Sequence, residues 1–150
     1  AFLTQTTLSV DDTAATLEVL KRRFPSILAP GPNDICYATS NRQDAVKAIA
    51  GNVELLLVIG SPKSSNSLRL VEVGTRNGAC ATLIQRADDI DFSWFKGVRR
   101  VGITAGASAP ELLVREVVDR IAEHFHVTER EVETIEENVV FKLPRGLEAA

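Results

Sequence analysis

The chain has 150 residues, 45% of them hydrophobic and 25% charged, with a formal net charge of −3. That is about the length of one ordinary soluble domain, enough to bury a sizeable core, and the absence of a basic patch or tail argues against nucleic acid as a partner. The longest apolar run, Leu55 to Gly60, is strand-sized and falls far short of the ~20 residues that cross a bilayer, so no membrane span is expected.

Phe2 to Thr6 reads as a short strand. Ser9 or Asp11 then caps a helix running to about Phe24, with Ala14, Leu17, Leu20 and Phe24 at helical spacing and acidic residues at its start, where the helix dipole favours them. Pro25 ends it. Pro30-Gly31-Pro32-Asn33 is the clearest linker in the chain and places a domain boundary. Ile35-Cys36-Tyr37 reads as a short strand before a polar turn and a helix from about Asn41 to Ala50. Leu55 to Gly60 is a continuous apolar strand, followed by a serine-rich turn and a helix from about Ser67 to Arg76. Ala81 to Ile84 and Arg100 to Thr104 are two further strands. A helix after Pro110 carries the stripe Leu113, Val117, Ile121 and Phe125.

Apolar strands alternating with helices predict an α/β fold, a small parallel-sheet three-layer domain covered on both faces. Residues 33–125 form that domain. Residues 1–32 hold one strand and one helix, too little to bury a core, and are expected to belong to a neighbouring, preceding unit. Residues 126–150 are a charged C-terminal tail in which Val139 to Leu143 reads as a last strand. The runs Lys21-Arg22-Arg23 and Arg99-Arg100 are read as solvated ends of a helix and a strand.

Ligands of open α/β sheets bind at the carboxyl ends of the strands. Three loops there are rich in small hydroxyl, amide and glycine residues: Ala38 to Asn41, Ser61 to Ser67, and Thr104 to Ala109. Such loops offer backbone N–H groups, hydroxyls and a helix dipole to an anion. Ser64, Ser65, Asn66 and Ser108 are the candidate contacts, and Lys63 can meet a phosphate as a point charge. The alternative is that Ser65, Asn66 and Ser108 merely cap helices. The pattern is not a P-loop, because the Gly-Lys-Ser/Thr ending is missing.

Two cysteines do not make a disulfide framework, so a reducing, cytoplasmic setting is the expectation. Cys36 stands at a predicted strand end beside the same edge, whereas Cys80 is expected in the core. His124 and His126 read as surface residues near a helix end, since alternate residues on a helix face different ways. The N-terminus lacks the features of a signal peptide. The chain opens Ala1-Phe2-Leu3 in what already reads as strand, consistent either with removal of an initiator or with a piece of a longer protein.

Four segments in order carry a family resemblance: Gln5-Thr6-Thr7-Leu8-Ser9; Ile35-Cys36-Tyr37-Ala38-Thr39 with Asn41-Arg42-Gln43; Gly60-Ser61 with Ser64-Ser65-Asn66-Ser67 and Arg69-Leu70; and Thr104 to Pro110. Over about residues 2–125 the chain resembles the LytB family of 4-hydroxy-3-methylbut-2-enyl diphosphate reductases, the last step of the non-mevalonate isoprenoid pathway. The resemblance implies one lobe of a three-lobed protein built around a 4Fe-4S cluster, with Cys36 as one of three cysteine ligands to it. It also implies diphosphate contacts at Ser64, Ser65, Asn66 and Ser108, and Thr6 near the substrate hydroxyl. The implied partners are an allylic diphosphate substrate and ferredoxin or flavodoxin as electron donor.

The departure from the family is large. Its first lobe and most of its second lie outside this chain, and with them two cluster cysteines, the diphosphate-binding histidines and a proton-donating glutamate. The chain alone is therefore expected to hold no stable cluster and to be inactive as a reductase. Two other readings compete: a phosphosugar isomerase-type domain, which needs neither Cys36 nor the Thr6 motif, and a non-catalytic phosphate-binding α/β module.

Overall fold

The computed structural model describes residues 1–28 and 35–132. Three five-residue strands form one parallel sheet: β1 (Leu55–Ile59), β2 (Cys80–Ile84) and β3 (Val101–Ala105), in the order β2-β1-β3. Every residue of β1 is buried, as befits a central strand covered on both faces. Its partners run in register from Leu55 with Cys80 and Val101 to Ile59 with Ile84 and Ala105.

Alternate β1 side chains feed two separate cores. Leu56 and Val58 join Val46 and Ala50 of α2 (Tyr37–Ala50) and Leu70 and Val73 of α3 (Ser65–Arg76). Leu55, Leu57 and Ile59 join Val117 and Ile121 of α4 (Glu111–Ala122), together with Ile90 and Phe95 from the two 3-10 turns that precede β3. Helices thus cover both faces of the sheet, and the three-layer α/β arrangement expected from the alternating pattern is present. Full burial of side chains this size stabilises the fold by about 1.5–3 kcal/mol each, so the central strand anchors the domain.

Several boundaries differ from the sequence reading. Ile35 to Tyr37 are not a strand: Cys36 is the N-cap of α2, and the helix starts at Tyr37. Both edges of β1 are already taken by β2 and β3, which leaves a three-residue extended segment with no central partner. Phe2 to Thr6 form no strand either; the backbone of this segment bonds Leu28 through Phe2 N–H (3.2 Å) and Cys36 through the Thr6 carbonyl. The predicted first helix is α1 (Val10–Arg23), capped by Ser9 through a bond from the Asp12 N–H. None of its residues is buried, including the expected stripe. Cys80 is exposed at the start of β2, not in the core. Phe125 lies beyond α4 and is 42% exposed, while Val117 and Ile121 are buried as the spacing implied. The linker 30–33 and the expected strand at 139–143 lie outside the described residues.

Candidate functional site

The chain leaves β1 for α3 on one face of the sheet and leaves β3, its neighbour, for α4 on the other. Adjacent strands whose connections depart to opposite faces open a crevice at their carboxyl ends, the usual ligand position in open α/β sheets. The loops 60–64 and 106–110 flank this crevice. The Gly106 N–H donates to the Ile59 carbonyl (2.8 Å) and the Gly60 N–H to the Ile84 carbonyl (2.9 Å), fixing the roots of both loops to the strand ends.

Ser64 is the N-cap of α3, its hydroxyl accepting from the Ser67 N–H at 3.3 Å. Ser65 is the first helical residue and is exposed. Asn66 is 6% exposed, yet neither its amide oxygen nor its amide nitrogen has a hydrogen-bond partner. Ser108 is exposed in the second loop. The capping alternative therefore fails for Ser65, Asn66 and Ser108, because Ser64 caps α3 and Pro110 occupies the N-cap of α4. Lys63 is exposed beside them, its N–H held by the Ser61 hydroxyl at 3.2 Å. Exposed hydroxyls, a buried amide with free donors and acceptor, and a lysine are groups that can meet an anion such as a phosphate.

Helix α2 ends at Ala50, and β1 begins at Leu55 after a four-residue connection, so α2 runs back along the sheet and its N-terminus lies toward the carboxyl ends of the strands. Cys36 is exposed there. Its N–H donates to the Thr6 carbonyl at 3.1 Å, so two sequence-predicted site residues far apart in the chain are adjacent. Thr6 itself is exposed.

That junction is held by a residue with no candidate role of its own in the sequence reading. Gln43, fully buried on α2, donates its amide to the Leu8 carbonyl (2.9 Å) and accepts from the Val10 N–H (3.0 Å). It clasps the segment that carries Thr6. Outside it, Lys47 pairs with Asp11 (2.8 Å), and Asp12 accepts from Arg76 (2.7 Å) and faces Arg69 (3.8 Å). The hydrogen bond from Arg76 is the chief reason the Asp12 carboxyl is held below its ordinary value. No local pattern signals these bonds, since the Gln43 partners lie 33 and 35 residues away.

A 4Fe-4S cluster needs several thiolates. Among the described residues no group of three or more His, Cys, Asp or Glu side chains is placed to hold a metal ion. Cys36 fits as a single exposed ligand. Cys80 cannot join it, because it opens β2 at the amino edge of the sheet, a strand length of about 13 Å from the carboxyl edge at ~3.3 Å per residue. Among the described residues no helix is long and apolar enough to cross a membrane.

The family model described as LytB protein matches residues 1–122. A 4-hydroxy-3-methylbut-2-enyl diphosphate reductase from Phenylobacterium zucineum is 62% identical over 98% of this chain, which covers 47% of that protein. One of the same name from Paracoccus denitrificans is 59% identical over the full chain, covering 48% of it. The solved structure of the E-1-hydroxy-2-methyl-but-2-enyl-4-diphosphate reductase from Plasmodium falciparum superposes with a TM-score of 0.89 at 37% identity, over 95% of this chain and 45% of that one. The chain spans about half the length of the curated relatives it matches. By the extent of these matches, the chain belongs to the LytB family.

Proposed function

We propose that this chain is the C-terminal half of a 4-hydroxy-3-methylbut-2-enyl diphosphate reductase and supplies the diphosphate-binding wall of its active site. The observation that carries the reading is Asn66: a buried side chain with both amide atoms unpartnered, at the switch-point crevice of a LytB family fold. The full protein carries out a two-electron reductive dehydroxylation. The allylic C–O bond breaks, two electrons and two protons enter, water leaves, and isopentenyl and dimethylallyl diphosphate are the products. Ferredoxin or flavodoxin, in a cytoplasmic setting, supplies the electrons.

In this reading Ser64, Ser65, Asn66 and Ser108 bind the diphosphate, and Lys63 adds positive charge beside it. Anchoring the unreactive end fixes the reacting end in place, which converts binding energy into orientation. Thr6 lies next to Cys36 in the fold and orients the substrate hydroxyl, holding its proton for transfer. Cys36 supplies one thiolate to the 4Fe-4S cluster, and the remaining ligands come from the rest of the protein. When bound, the cluster delivers the electrons and an open iron coordination position. Residues 1–32 belong to the preceding lobe, a division supported by an α1 that buries none of its own residues.

The test is a chimera joining the N-terminal half of the Phenylobacterium relative to this chain. The chimera is expected to reduce the allylic diphosphate with a chemical electron donor, and Cys36→Ser is expected to abolish turnover. A chimera that binds a full cluster but does not reduce the substrate would overturn the assignment.

A further inference from the structure

Resting on the two-loop anion site proposed above, we propose that Ser67 is its positioning residue: a buried hydroxyl seated between Gly60 and Gly106 that sets how closely the two ligand loops approach. Ser67 is the third residue of α3 and is 1% exposed, and its Oγ has no hydrogen-bond partner. At 1% exposure it is more enclosed than the neighbouring Asn66 at 6%. Gly60 opens the loop that carries Ser64 and leads into Ser65 of α3, and Gly106 opens the loop that carries Ser108. A Cβ built on either glycine would overlap the Ser67 Oγ.

Neither glycine is required for its backbone conformation. Among the described residues only Gly78 and Gly97 have positive φ. Gly60 and Gly106 are glycines for space, and the Ser67 hydroxyl fills that space from the helix side. An unpartnered buried hydroxyl is unfavourable for stability, so stability does not explain its presence. Its effect is geometric: one oxygen atom is the spacer between two backbone segments whose far ends carry the anion contacts. Hydrogen bonds to an anion tolerate only tenths of an ångström, and losing one to a charged group weakens binding about ten- to a hundredfold.

The two glycines differ in one respect. A Cβ at Gly106 would lie 3.6 Å from the Ser67 Cβ, ordinary contact once the hydroxyl is gone, whereas a Cβ at Gly60 would lie 2.7 Å from it and would still overlap. Removing the hydroxyl should therefore rescue one glycine substitution and not the other.

The experiment measures by calorimetry the affinity of inorganic diphosphate for this chain joined to the N-terminal half of the Phenylobacterium relative, with ligand-free thermal midpoints alongside. Ser67→Ala is expected to weaken diphosphate about tenfold and Gly106→Ala about a hundredfold. The Ser67→Ala/Gly106→Ala double variant should bind at least about tenfold more tightly than Gly106→Ala alone, because the new methyl refills the seat from the opposite wall. Ser67→Ala should give no such recovery to Gly60→Ala. The Ser67→Ala midpoint should hold, since an unpartnered hydroxyl is what is lost. Wild-type affinity in Ser67→Ala, or equal recovery of both glycine variants, overturns this inference alone. Absence of diphosphate binding by the unsubstituted chimera overturns the two-loop reading itself, and the role of Ser67 falls with it.

Discussion

Asn66 is a buried residue whose side chain the fold itself leaves unpartnered. A buried polar group left unbonded costs about 1–3 kcal/mol, and both ends of this amide are in that state. Serine, asparagine and serine at a helix start read first as caps, and the sequence cannot show which one takes the task. The structure gives it to Ser64, which leaves Asn66 unused by the fold. Asn66→Ala is therefore expected to leave the ligand-free midpoint unchanged or raise it, although truncating a buried side chain is ordinarily destabilising. The same substitution should weaken diphosphate binding by about ten- to a hundredfold, the worth of about 1.5–3 kcal/mol for hydrogen bonds to a charged group. Thermal unfolding and calorimetry on one preparation decide it. A markedly lower midpoint with unchanged affinity would make Asn66 a structural residue instead.

Among the elements, β1 was the most legible, because five apolar residues in a row admit little besides a buried strand. The segments around Thr6 and Cys36 were the least legible. Both look extended in sequence, but a strand needs a partner, and the partners of β1 are decided far along the chain. What holds these segments is instead Gln43 and the ion pairs of α1 with Arg76 and Lys47. These contacts give the docking of α1 a pH dependence. Asp12 has a folded-state value below its ordinary 3.8, chiefly through the hydrogen bond from Arg76. A depressed carboxylate contributes stability that is present above the ordinary value and is lost as pH falls through the lowered folded one. Amide chemical shifts of Val10 to Arg23, followed from neutral pH downward, should move together in that acidic window and stay flat above it. Asp12→Asn should remove the transition while leaving the amides of β1 unaffected. A transition that persists in Asp12→Asn would assign the docking to other groups.

At the scale of the molecule, the parallel three-layer architecture followed from composition and alternation, and the family from four motifs in order. Neither could say how much of a working site this chain contains. The fold answers this through the two cysteines. Cys36 lies toward the carboxyl edge of the sheet, beside Thr6, and Cys80 at the amino edge, so a single cluster cannot bridge them. Clusters of this type are held by several thiolates, and one exposed cysteine leaves most of the iron valence to solvent. Anaerobic reconstitution of the 150-residue chain with iron and sulfide is therefore expected to give no stoichiometric visible absorption band. Cys36→Ser should leave that spectrum unchanged. Joined to the N-terminal half of a relative, the chain should develop the band, and Cys36→Ser should then weaken or destroy it, as the proposed cluster role of Cys36 requires. A stoichiometric, Cys36-dependent band on the chain alone would mean that ligation is completed between copies of this half, and the one-wall reading of the site would have to be abandoned.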